Sequence, residues 1–183
     1  MLENLDLKNC EYGCIPRDLM ADLRQEGKSS KIKIRALEFV EAIMEEKSNY
    51  QLLLPHIGQF MNFLSNVTRD VNNNVITKSL QLINKTLVND ASVVTKIQID
   101  EMIPMLIQKI GDANSNVRTV SFDIFATLNN QLHPKSYMNM IIPYLTMSTL
   151  PKDEIIEWFQ GVVQIDKIKK IPANNLKKNK AIL

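Results

Sequence analysis

The sequence predicts an all-α fold: a right-handed α-solenoid of about four helical hairpins. Three observations predict it. Only five Gly and seven Pro occur in 183 residues, too few for the many turns of an all-β domain. The Leu, Ile, Met, Lys, Glu and Gln content suits helices. The chain also repeats itself with a period near 40, and such a period with two helices per unit marks stacked helical hairpins.

Two patterns carry the repeat. Ile15-Pro16, Leu54-Pro55, Ile103-Pro104 and Ile142-Pro143 are aliphatic-Pro pairs, with prolines 39, 49 and 39 residues apart. Each precedes an apolar run of helical period, and Pro fits the first helical turn, where its missing N–H costs nothing. Between them lie Ile32-Lys33-Ile34-Arg35-Ala36-Leu37, Val75-Ile76-Thr77-Lys78-Ser79-Leu80 and Val117-Arg118-Thr119-Val120-Ser121-Phe122, which begin 43 and 42 residues apart. Each places a small residue (Ala36, Ser79, Ser121) where a neighbouring helix can approach closely.

In order, residues 1–14 form an N-terminal extension, 15–168 the repeat domain and 169–183 a basic tail. First helices are expected over about 16–26, 50–65, 97–110 and 136–147, and second helices over about 31–46, 74–89, 116–131 and 152–168. Asp112 with Ser115 or Asn116 can cap the third second helix, and Ser48 or Asn49 the second first helix. Leu37, Val40, Leu80, Ile83, Phe122 and Phe125 should be buried. Phe39, Phe60 and Phe63 mostly fit core positions, as do Met138, Met140 and Met147. Trp158 and Phe159 belong to a terminal core.

Composition removes several function classes. Apolar content of 45% supports a core, while a net charge of +2 does not mark the whole chain as a polyanion binder. Cys10 and Cys14 cannot fill a structural zinc site alone, so ordinary packing in a reducing compartment is expected. The first six residues are acidic and do not resemble a signal peptide. No run of about 18 apolar residues exists to span a membrane. Gly27-Lys28-Ser29 resembles the end of a phosphate-binding loop, but Asp22 stands where that loop needs Gly. His56 and His133 are far apart, and no nucleophile–base order appears. The expectation is no enzyme, no cofactor, no metal and no small-molecule substrate.

The stretch from Ile103 to Arg118, Ile-Pro-Met-Leu-Ile-Gln-Lys-Ile-Gly-Asp-Ala-Asn-Ser-Asn-Val-Arg, resembles the HEAT-repeat consensus: Pro in the first helix, a Gly-Asp turn, then Val-Arg. More narrowly it resembles a TOG domain of the CLASP and crescerin groups. That family carries a Trp-Lys-x-Arg-x-x-Ala-Leu pattern at its first turn. Here Ser30-Lys31-Ile32-Lys33-Ile34-Arg35-Ala36-Leu37 matches at Lys31, Ala36 and Leu37, and Lys33 keeps the charge. Ser30 replaces the Trp, and four hairpins fall short of the family's six. The resemblance implies a tubulin-binding module of the cytoplasm and cytoskeleton, including cilia and axonemes.

A solenoid stacks its turns along one edge. The expected partner-binding residues are therefore Lys28, Ser30, Lys31, Lys33, Arg69, Asn116, Arg118 and Lys152. Such cations suit tubulin, the microtubule lattice or another acidic protein surface, with a salt-sensitive contact. The alternatives are internal: Arg118 can tie one repeat to the next through a carboxylate, and the lysines can form a solvated face. A HEAT-type scaffold with a different protein partner is the second reading. A third has the tail from Lys167 to Lys180 meet nucleic acid, which the shortage of surface aromatics disfavours.

Overall fold

The structure is a computed structural model that describes residues 6–95 and 99–145. Helices dominate these residues, as expected for an all-α chain. The expected helix at 152–168, the tail, Met147, Lys152, Trp158 and Phe159 lie outside the described residues. The chain divides into two compact units, Met1–Ile99 and Asp100–Leu183.

The first unit holds α1 (Arg17–Arg24), α2 (Ser30–Glu45), α3 (Lys47–Leu53), α4 (Ile57–Val67) and α5 (Asn73–Asn89). Helix α2 packs on α1, on α3 and on α5, and α5 packs on α2 and α4. The two long helices are therefore neighbours, each with its own partner. Leu37, Val40, Leu80 and Ile83 are fully buried, as the period predicts, and Ala36 and Ser79 are buried on the same faces. Removing this apolar surface from water is the main stabilising term. Across the α2–α5 seam, Glu41 accepts from Lys78 at 2.7 Å and from Lys85 at 2.9 Å, and Lys85 also pairs with Glu45.

Proline explains a break that the period does not predict. The expected helix 50–65 stops at Leu53, tightens into a 3-10 turn over Leu54–His56 and restarts at Ile57. Pro55 has no N–H to donate, and its ring crowds the carbonyl four residues earlier. The expected helix-starting role of the prolines is corrected elsewhere too. Pro16 precedes α1, while Pro104 and Pro143 lie inside α6 (Ile99–Ile110) and α8 (Pro134–Leu145). Ser48 and Asn49 lie inside α3 and cap nothing.

The N-terminal extension and the first two residues of the expected repeat domain form a small sheet, contrary to the all-helical expectation. Strands β1 (Cys10–Glu11) and β2 (Ile15–Pro16) pair antiparallel, with Glu11 opposite Ile15. Tyr12 and Gly13 turn the chain with positive φ, 50° and 87°. Left-handed geometry costs Tyr12 roughly 1–2 kcal/mol. Its ring offsets that cost by lying edge-on to Phe60, centroids 5.6 Å apart, and tilted beside Phe63 at 6.3 Å. Cys14 and Ile15 are fully buried beneath the turn. Burial, with Cys10 nearby, pushes the Cys14 thiol up to about 11, so at neutral pH it packs as an inert thiol. Arg24 clamps Glu11 through two bonds, 2.8 and 2.5 Å, and its guanidinium lies 5.1 Å over the Phe63 ring.

In the second unit, α7 (Ser115–Gln131) packs on α8. Val117, Ser121, Ile124, Phe125 and Leu128 form its buried stripe, and Ile103, Leu106 and Ile110 form that of α6. Phe122 is only half-buried, a correction to the expected core. Helix α5 is buried over a wide face because α2 and α4 flank it. The buried face of α7 is turned toward Val120 relative to that of α5, and Phe122, about 100° round from Ser121, lies at its margin.

Phe125→Ala should cost roughly 3–5 kcal/mol in urea unfolding, and Phe122→Ala clearly less, because only the first leaves a closed cavity. Gly13→Ala should cost about 1–3 kcal/mol by the same measurement. A Cβ there would collide with the Leu52 carbonyl as well as force a left-handed alanine.

Candidate functional site

Two turns in the described residues are built the same way, 42 positions apart. Between α4 and α5, the Asp70 Oδ1 accepts from the Asn72 N–H at 2.8 Å. The Asn72 Oδ1 then accepts from the N–H groups of Asn74 and Val75, at 3.0 and 3.4 Å, and so caps α5. Between α6 and α7, Asp112 accepts from Asn114 at 2.9 Å, and Asn114 caps Asn116 and Val117 at 2.9 and 3.3 Å. At the seventh residue of each helix a buried serine donates back to the valine carbonyl four residues earlier: Ser79 to Val75 and Ser121 to Val117. The cap expected from Asp112 with Ser115 or Asn116 is corrected: Asn114 caps, and Asp112 secures the step before it. The signal was available as Asp-x-Asn-x-Asn-Val, present at both Asp70 and Asp112.

The expected binding residues divide between internal and outward roles. In the first unit, Lys33 is buried, with its Nζ 2.7 Å from the Asp70 Oδ2 and both side chains about 10% exposed. It ties the start of α2 to the α4–α5 turn, which corrects its expected place on an open cationic edge. Burial pushes the Asp70 carboxyl up. Hydrogen bonds from Lys33 and the Asn72 N–H outweigh that and hold it below the usual carboxylate range. Lys28 is half-buried and pairs with Asp22 at 2.8 Å, just after Gly27 turns the chain at φ 73°. Ser30 opens α2 and is half-buried. Lys31 and Arg69 are exposed, and neither has an ion-pair partner among the described residues.

In the second unit, Asn116 is exposed and Arg118 half-buried. Arg118 donates to the carbonyls of Asp112 and Ala113 at 2.8 and 3.0 Å, which closes its own turn. Lys152 lies outside the described residues.

Sequence reasoning missed a groove in the first unit. It measures about 640 Å³ and runs between the α1–α2 turn and the α4–α5 turn. Phe63 and Val67 form part of its wall, with Arg24, Lys28 and Arg69 around them. Val71, at the tip of the second turn, is 100% exposed although the residues on both sides of it are fixed. Its members come from two turns more than 35 residues apart, so no local pattern announces it.

Among the described residues, no group of three His, Cys, Asp or Glu is arranged to hold a metal, and no helix is long and apolar enough to cross a membrane. No protein-family model matches the chain, and neither a curated protein nor a solved structure is found to be similar to it.

Asp70→Asn should lower stability by about 3 kcal/mol in urea unfolding, since it leaves Lys33 buried without its charge partner. Adding Lys33→Met should recover most of that loss. The carboxyls of Asp70, Glu11 and Glu41 are all held low in the fold, Glu11 chiefly by Arg24 and Glu41 chiefly by Lys78. Their contribution is therefore present above the unfolded values, about 3.9 for Asp and 4.3 for Glu, and is lost as pH falls through the lower folded ones. The urea midpoint should be steady near neutrality and fall below about pH 4. That fall should be shallower in the Asp70→Asn variant.

Proposed function

We propose that this chain is a non-catalytic helical-repeat protein, a right-handed solenoid of HEAT-like hairpins, whose turns bind an acidic protein surface, with tubulin in the microtubule lattice as the partner. The observation that carries the reading is the twice-built turn, Asp70–Val75 and Asp112–Val117, with the same hydrogen bonds at each position. Repetition of a turn down to its capping bonds is what a repeat architecture requires. The side-by-side packing of α2 and α5, each with its own first helix, supports it further.

The exposed cations Lys31 and Arg69 support an acidic partner. Ser30 stands where the resembled family has Trp, so an apolar anchor is missing and capture of free tubulin dimers should be weak. A lattice presents many sites together, and multiple weak contacts sum there.

A second reading, a HEAT-type scaffold for another protein, has one specific observation in its favour. Lys33 and Arg118, two of the expected contacts, are committed to internal bonds.

Co-sedimentation with polymerised microtubules separates the two. The unmodified chain should pellet with microtubules at low salt and release as salt rises. Lys31→Glu with Arg69→Glu should abolish pelleting while the helical circular-dichroism signal stays unchanged. Absence of pelleting by the unmodified chain at low salt hands the function to the scaffold reading.

A further inference from the structure

We infer that the flank of α2 away from α5 is a self-association surface, on which a second copy of this chain packs antiparallel about a two-fold axis. The inference is independent of the partner proposed for the turns.

A single stripe carries it. Ile32, Arg35, Phe39, Ala42 and Glu46 follow one another along α2 at steps of three and four residues, Glu46 being its C-cap. That spacing keeps them on one face and is the spacing of a helix–helix seam. Six large apolar side chains are exposed among the described residues, and of these only Ile32 and Phe39, at 41% and 39%, share a helix. Glu41, which joins α2 to Lys78 and Lys85 of α5, is about 200° round from Phe39. The stripe therefore lies on the flank that α5 leaves uncovered.

The charges of the stripe differ in sign from end to end. Arg35 stands toward the N-terminal end of α2, one turn after Lys31, and Glu46 stands at the C-terminal end. All three are exposed, and none has an ion-pair partner among the described residues. The Arg35 guanidinium lies 5.5 Å over the Phe39 ring. A stacked guanidinium keeps its N–H edge for a carboxylate, so this one is already oriented to receive one.

These features select a second copy as the occupant. A parallel copy would set Arg35 on Arg35 and Glu46 on Glu46. An antiparallel copy centred between Phe39 and Ala42 sets each Arg35 opposite the partner's Glu46. The same register sets each Phe39 on the partner's Ala42, a large side chain against a small one. One two-fold operation thus matches charge and shape together, twice over, as an isologous interface requires. The one like-charge approach in this register, Glu38 to the partner's Glu45, is offset by Lys85, which already holds Glu45. One helix face is a small patch, so the association should be weak.

Sedimentation-velocity ultracentrifugation of the full chain at low salt, across the micromolar range, tests this. The unmodified chain should move from its 21.0 kDa monomer toward a dimer as concentration rises. Arg35→Glu and Glu46→Arg should each weaken the dimer by about ten-fold, and Phe39→Asp likewise, with the helical signal intact. A chain carrying both Arg35→Glu and Glu46→Arg should regain the affinity of the unmodified chain. Residues 35 and 46 are about 16 Å apart along their own helix, so that recovery has no explanation within one chain. The inference is overturned if the unmodified chain stays monomeric throughout, which would leave the stripe to a different protein. It is also overturned if the single variants dimerise like the unmodified chain, or if the doubly changed chain dimerises no better than they do.

Discussion

The Lys33–Asp70 ion pair is the constraint on which the first unit depends. It reaches from the first turn of α2 to the turn between α4 and α5, 37 residues on, and both partners are nearly out of water. A pair of this kind adds little net stability over an apolar substitute, because desolvating two charges offsets most of their attraction. What it contributes is register. Only one alignment of the two hairpins lets the Lys33 ammonium meet the Asp70 carboxylate, and any other leaves a buried charge alone. The same carboxylate spends its second oxygen on the Asn72 N–H, and Asn72 then caps α5. One polar chain thus runs from α2 to the N-terminus of α5. The spacing between the two turns, and with it the width of the groove, follows from it.

The seam between α2 and α5 is joined differently. Glu41, Glu45, Lys78 and Lys85 meet across it, all with substantial exposure. Such contacts are worth little individually and are screened by salt. The apolar face beneath them, with Leu37, Val40, Leu80 and Ile83 buried, provides the attraction. The exposed pairs guard its rim. Buried charge sets alignment and buried hydrocarbon supplies stability, while Lys31 and Arg69 stay exposed with no ion pair among the described residues.

Helices α2, α5 and α7 were legible in the sequence almost to the residue, because their apolar stripes keep a 3.6-residue period over four turns or more and their small residues repeat in step. The interruption between α3 and α4 was not legible. Proline reads equally as a helix start and as an internal break; Pro55 breaks its helix, whereas Pro104 does neither and lies inside an uninterrupted α6. The β1–β2 hairpin was hidden because two-residue strands carry no periodicity, and its turn is held by contacts with Phe60 and Phe63 far along the chain. At the candidate site the charges were legible but their fates were not. Lys31 and Lys33 are alike in the sequence, yet residues two apart on a helix point about 200° apart, so one faces water and the other faces Asp70.

The N-terminal hairpin has a consequence for how the first unit opens. Helix α1 has only eight residues, well below the roughly 12–15 at which an isolated helix becomes marginally stable in water. The bonds from Glu11 to Arg24, and the rings of Tyr12, Phe60 and Phe63, tie α1 and the hairpin to α4. The amides of α1 cannot therefore be protected from solvent exchange by the helix alone. They share the opening free energy of the segment that straps them down, and residues at the two ends of the stretch from Glu11 to Phe63 should open as one cooperative foldon.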